Sequence, residues 1–228
     1  MTTALLVANG LSAGYGGHPV IRAIDLHVSA GEVVGLLGAN GAGKTTTLLA
    51  LAGELRPIEG TVELLGVPVS GGIHTSARRG LGFVTEERSV IFSLSVVDNL
   101  RLGRGDLDKA FTLFPELAPL KRRIAGSLSG GEQQILTFAR ALSRSPRVLL
   151  ADEMSLGLAP MVVQRLGRAL RDAATLGIGV LLVEQQARTA LSLADRAYVL
   201  RQGEVVLEGP ADDLMGRIDQ IEAGYLSE

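Results

Sequence analysis

The sequence contains no cysteine and no tryptophan, and its aromatic content stops at five phenylalanines and three tyrosines. Without a thiol there is no disulfide, no thiolate catalysis and no Cys-based metal site, a composition that fits a reducing compartment. Histidine is scarce as well: His18, His27 and His74 are the only three. Nowhere do ~18 apolar residues run together, so no membrane-spanning helix is expected. The early apolar run Ala4-Leu5-Leu6-Val7-Ala8 is short and has no Lys or Arg before it, so no signal peptide is expected either. Charge of one sign is also missing. A net charge of −2 and a pI near 6.0 give no general attraction to nucleic acid or anionic lipid. Lys121-Arg122-Arg123 is a local cluster that reads as a solvated helix flank. No internal repeat and no low-complexity segment is visible.

What is present is 46% hydrophobic residues in 228, enough for one domain with a substantial core and a small second lobe. Twenty-nine glycines imply many turns and close backbone approaches. From about residue 5 to residue 37 the alternation across 20–28 predicts antiparallel strands on a half-exposed sheet that joins a parallel core. Residues from about 92 to 128 read as a helical insertion. Pro160 is expected to open a long helix ended by Gly177, Arg201-Gln202-Gly203 to turn a tight hairpin, and Pro210 to begin a last short helix.

Three stretches carry chemistry. Gly38-Ala39-Asn40-Gly41-Ala42-Gly43-Lys44-Thr45 matches G-x-x-x-x-G-K-[ST] after the apolar run 33–37 and before the helical run 46–51. In that context glycines turn backbone N–H groups toward phosphate oxygens, Lys44 reaches the β- and γ-phosphates, and Thr45 ligates Mg²⁺. Gly38, Asn40, Gly41, Gly43, Lys44, Thr45 and Thr46 are thus the candidate phosphate-binding set. Val148-Leu149-Leu150-Ala151-Asp152-Glu153 reads as a buried parallel strand that opens onto the same site. Alternation is expected to point Asp152 toward Mg²⁺, through water, and Glu153 toward the water attacking the γ-phosphate. The third stretch, Ser129-Gly130-Gly131-Glu132, fits a capping box ahead of a helix-spaced apolar run. Two glycines in a first helical turn cost stability unless backbone must come close to something, and the positive helix end is a second anion site.

With its neighbours, Leu128-Ser129-Gly130-Gly131-Glu132-Gln133 resembles the signature motif of ATP-binding cassette (ABC) ATPases, and the resemblance covers nearly the whole chain. It implies a P-loop NTPase-like three-layer α/β core with an antiparallel β lobe and a helical lobe at about 92–128, all within one domain spanning 1–228. It also implies a head-to-tail dimer in which Ser129, Gly130 and Gly131 of one chain close over ATP held by another. Tyr15 lies where the family stacks an aromatic residue on adenine, although an ordinary strand aromatic is the alternative. Ser155-Leu156-Gly157-Leu158 resembles the loop that touches the opposite subunit, and Met154 stands where the family most often has Pro.

Two positions depart from the family pattern. Gln185, in Glu184-Gln185-Gln186, takes the place of a histidine bonded to the γ-phosphate; an amide donates a hydrogen bond but carries no proton near neutral pH. Glu86, with Glu87 as competitor, takes the place of a glutamine that binds Mg²⁺. These features, with Ala159-Pro160 and the tail Ala223-Gly224-Tyr225-Leu226, are similar to one of the two ATPase subunits of branched-chain amino-acid importers, whose relatives serve urea and short amides. The partners this implies are two membrane permeases, a second ATPase subunit (self or paralogue) and an extracytoplasmic binding protein, with the chain peripheral on the cytoplasmic side of the membrane. A soluble ABC ATPase acting on nucleic acid or ribosomes is the other class, disfavoured by a single short cassette without a basic face.

Overall fold

Val33–Leu37, Val148–Asp152 and Gly179–Glu184 are buried at every position, which only a strand covered on both faces tolerates. In the structure, a computed structural model that describes residues 3–225, they form the middle of a six-stranded sheet. In chain order, β1 (Ala4–Tyr15) and β2 (His18–Ser29) are followed by β3 (Val33–Leu37), α1 (Lys44–Ala52), β4 (Glu59–Leu64), β5 (Val67–Pro68), α2 (Ile73–Arg78) and β6 (Leu81–Val84). The helical lobe holds α3 (Val96–Leu102), α4 (Leu107–Leu113) and two 3-10 turns, Pro115–Leu120 and Ala125–Ser127, and it leads into α5 (Gly130–Leu142). Then come β7 (Val148–Asp152), α6 (Pro160–Thr175), β8 (Gly179–Glu184), α7 (Ala187–Leu193), β9 (Arg196–Arg201), β10 (Glu204–Pro210), α8 (Ala211–Met215) and α9 (Ile218–Gly224).

The large sheet runs β10-β9-β3-β8-β7-β6, parallel except for the β10 edge, and a smaller antiparallel sheet runs β2-β1-β4-β5. Successive residues of the central strands feed two cores, as the two-residue period requires. Val34, Leu36, Leu150, Leu181 and Val183 join α1 and the antiparallel sheet; Val33, Leu37, Leu149, Ala151, Val180 and Leu182 join the helices on the other face. The layered α/β architecture with two lobes is therefore the one expected.

Local differences have local causes. The alternation expected over 20–28 holds from Ile24 to Val28 but breaks at Ala23, whose φ of 46° marks a bulge bound to Ser12 Oγ at 3.0 Å. Pro210 does not begin a helix: it is the last residue of β10 and caps α8, and a further helix, α9, follows. The tail 223–225 completes α9, whereas Leu226 lies outside the described residues. The lobe's core also extends past 128 into α5, because Phe114, Leu117, Leu136, Phe138 and Leu142 share one cluster. Buried Asn99 folds the chain entering the lobe: its amide donates to Ile91 O and Ser95 O at 3.0 Å and accepts from Ile91 N–H at 2.8 Å.

Candidate functional site

Parallel pairing places three loops side by side. Leu37 pairs with Glu184 and Asp152 with Val183, so the loop after β3, Gln185 after β8 and Glu153 after β7 leave the same edge of the sheet. Ligands bind at this edge in α/β sheets because loops, not strands, close it. Gly43, at φ 105°, caps α1 with its missing side chain against Ile21, where a Cβ would stand 2.6 Å from Cγ2.

Lys44 is 5% exposed, and its ammonium donates to Gly38 O at 2.9 Å and Ala39 O at 3.1 Å while pairing with Glu153 Oε1 at 3.4 Å. A cavity of about 430 Å³ opens above it, lined by Asn40, Gly41, Gly43, Thr45, Thr46, Glu86, Glu153 and Gln185, with Val20 and Leu156 at its rim. Asn40, Gly41, Gly43, Lys44, Thr45, Thr46, Glu86, Glu153 and Gln185 are thus brought to one cavity, while Gly38 meets it only through the carbonyl that Lys44 bonds. Glu86, and not Glu87, lines this cavity.

Asp152 is buried beneath it, and its carboxyl is pushed up to about 6, first by burial and then by Glu153 and Glu86, against the pull of Lys44. Glu153 does not continue β7 in alternation: at φ 42° it turns off the strand, which is how it reaches Lys44. Among the described residues no three acidic or imidazole groups converge into a protein-only metal cage. Thr45 and Glu86 line the cavity and Asp152 lies close to Glu86 and Lys44, so these oxygen groups are the ones that would hold Mg²⁺.

Other expected residues lie elsewhere. Tyr15 stands 55% exposed at the end of β1, outside this cavity, whose apolar lining comes from Val20 and Leu156. Ser129, Gly130 and Gly131 lie outside it too. They begin α5, and the capping box is present in full: Ser129 N–H donates to Glu132 Oε2 at 2.7 Å and Glu132 N–H to Ser129 Oγ at 3.3 Å. Gly131 has a cause within the chain, since a Cβ there would meet Val162 Cγ2 at 2.9 Å; at Gly130 a Cβ would meet only the mobile end of Arg88.

Sequence reasoning missed several groups. Arg201, Glu222 and Tyr225 line a wider concavity of about 850 Å³ that continues from Asn40, Gly41 and Gln185. No periodic signal marks that contact. The other is Glu184, 2% exposed, whose carboxyl is pushed up to about 7 by burial; hydrogen bonds from Ser155 oppose this, and the charges of Glu153 and Asp152 add to it.

The pH consequence follows from linkage. An unfolded Glu184 releases its proton near 4.5 whereas the fold retains it to about 7, so stability falls as pH rises through that window. Wild type is therefore expected to lose up to about 3 kcal/mol relative to Glu184→Gln between about pH 5 and about pH 8. Urea denaturation of both proteins checks this, and a difference that does not change with pH would refute it.

The comparisons with known proteins agree with this geometry. A family model described as ABC transporter matches residues 21–155. The chain is 40% identical over 217 residues to the high-affinity branched-chain amino acid transport ATP-binding protein BraG of Pseudomonas aeruginosa, covering 89% of this chain and 91% of that protein. It is 35% identical to the lipopolysaccharide export system ATP-binding protein LptB of Escherichia coli strain K12, over 99% of this chain and 98% of that one. A solved structure of an ATP-binding subunit of an ABC transporter superposes with a TM-score of 0.86 at 25% identity, covering 98% of this chain and all of the other. The ADP conformation of the ATP-binding cassette MJ1267 superposes with a TM-score of 0.90 at 22% identity over the full length of both chains.

Proposed function

Since this chain belongs to the ABC transporter family and is an ATP-hydrolysing cassette, we propose that it energises an importer of branched-chain or related hydrophobic amino acids. The observation that carries the cargo is the 40% identity to BraG, whose name assigns that protein to branched-chain amino acid transport. Likeness to LptB favours a second reading, a cassette of an export system. An importer of urea or short amides stands on the same sequence features as the first.

In the proposed mechanism the 38–43 backbone, Asn40, Lys44, Thr45 and Thr46 hold the phosphates, and Tyr15 stacks on adenine. Lys44 already sits between two carbonyls and Glu153, so an arriving γ-phosphate offers it a stronger anion and releases Glu153. Glu153 then orients the attacking water and accepts its proton, while Gln185 donates a hydrogen bond to the γ-phosphate. Thr45, Glu86 and water-linked Asp152 would hold Mg²⁺, which when bound neutralises charge developing on the phosphates.

Ser129, Gly130 and Gly131 complete the site of a second ATPase subunit, a copy or a paralogue. Two permeases and an extracytoplasmic binding protein would make up the transporter. The chain would sit beside those permeases at the cytoplasmic face; no helix among the described residues is long and apolar enough to cross a membrane.

In cells that depend on this chain, Lys44→Ala is expected to abolish uptake of labelled leucine, isoleucine and valine. Lipopolysaccharide export, where the host has it, should be unaffected. Normal uptake with failed export would move the cargo to the second reading.

A further inference from the structure

β8 ends on a carboxyl group that is almost wholly enclosed, and a group buried to that degree needs partners for both oxygens. One residue supplies them: Ser155 N–H donates to Glu184 Oε1 at 3.0 Å, and Ser155 O–H donates to Oε2 at 2.7 Å. Ser155 is itself 7% exposed, so water does not compete for these bonds. A third bond joins the same two segments, from Glu153 N–H to Val183 O at 2.9 Å.

What lies on either side of this junction gives it a role. Following Glu184, Gln185 stands in the cavity over Lys44. Following Ser155, the turn is closed by Leu156 N–H to Glu153 O at 3.3 Å and Leu158 N–H to Ser155 O at 3.2 Å, and it carries Leu156, 51% exposed. The 153–158 turn has no ladder pairing of its own. Met154 is buried in the core and Glu153 pairs with Lys44 at 3.4 Å, while Ser155 supplies the side-chain tie between the turn and the end of β8.

We infer that Glu184 is a positioning residue that locks the 153–158 turn to the end of β8, so that Gln185 at the nucleotide and Leu156 at the surface move as one body. Only the consequence for hydrolysis rests on the proposed role of Gln185; the lock stands on the hydrogen bonds alone. Its chemistry predicts which replacements keep it. A glutamine at 184 still accepts from Ser155 N–H and donates its amide to a rotated Ser155 hydroxyl, whereas methionine fills similar space and does neither.

Hydrogen–deuterium exchange of the full chain, with and without Mg·ATP, tests the lock. Glu184→Met is expected to speed exchange in 153–158 roughly tenfold or more, the protection lost with the two Ser155 hydrogen bonds, with 38–45 and 148–152 unchanged. Glu184→Gln should exchange like wild type, and Glu184→Met should lower kcat for ATP at an unaltered KM. Unchanged exchange in Glu184→Met overturns the inference. So does an increase spread evenly over β7 and β8, or a glutamine variant as loose as the methionine one. Hydrolysis by Gln185→Ala is scored separately: a parent rate there removes the functional role of Gln185 and leaves the exchange result standing.

Discussion

Glu153→Gln is expected to bind Mg·ATP and to lose roughly 10²–10⁴ in turnover, the range of a general base removed from a positioned water. The substitution keeps the shape of the side chain and the left-handed turn that aims it off β7, where φ is 42°. What it removes is the proton acceptor and the negative charge facing Lys44 at 3.4 Å. In the nucleotide-free chain that charge is the ammonium's anionic partner, so its loss should leave ATP affinity equal or slightly higher. Binding and chemistry therefore move apart. Single-turnover hydrolysis beside equilibrium nucleotide binding reads the split, and hydrolysis at the parent rate would remove Glu153 from the mechanism.

Lys44→Ala has the opposite signature, a loss of both binding and turnover. Its ammonium is the cation the structure buries in the phosphate loop, held by Gly38 O and Ala39 O beside Glu153, Asp152 and Glu86. Removing it leaves those carboxylates facing one another without a counter-charge and strips the γ-phosphate of a preorganised donor. A fall of at least about 10²-fold in kcat/KM is expected, as for other preorganised donors of transition-state charge. Lys44→Arg should not rescue it, because a planar guanidinium does not fit a pocket shaped around three point contacts. Phosphate release and calorimetric titration with ATP check both arms; a near-parent kcat/KM in Lys44→Ala would refute the assignment.

Much of this site was legible because its parts are local. The phosphate loop is announced by glycine spacing between an apolar strand and a helix, and the capping box at Ser129 by four consecutive residues. Continuous apolar runs gave β3, β7 and β8 because strands covered on both faces have no polar positions. The groups that escaped depend on neighbours distant in sequence. Glu184 after Val-Leu-Leu-Val reads as a solvated strand end until Ser155 is brought against it by the β7–β8 pairing. The packing reason for Gly131 was not legible because Val162 reaches it from another segment. Glu153 was expected to follow strand alternation, which a single left-handed residue abolishes. Glu86 is preferred over Glu87 from sequence, and the cavity over Lys44 is lined by Glu86.

We propose that each chain carries two half-sites, a phosphate loop and a signature segment that meets another chain's loop. Within one chain Ser129 and Lys44 do not share a cavity, as that claim requires. Sedimentation velocity of Glu153→Gln in Mg·ATP, alone and with the second cassette of its transporter, is the direct measurement. The account predicts a dimer that forms only with ATP and disappears when Ser129→Arg is added; a dimer that persists with Ser129→Arg, or forms equally without ATP, would contradict it.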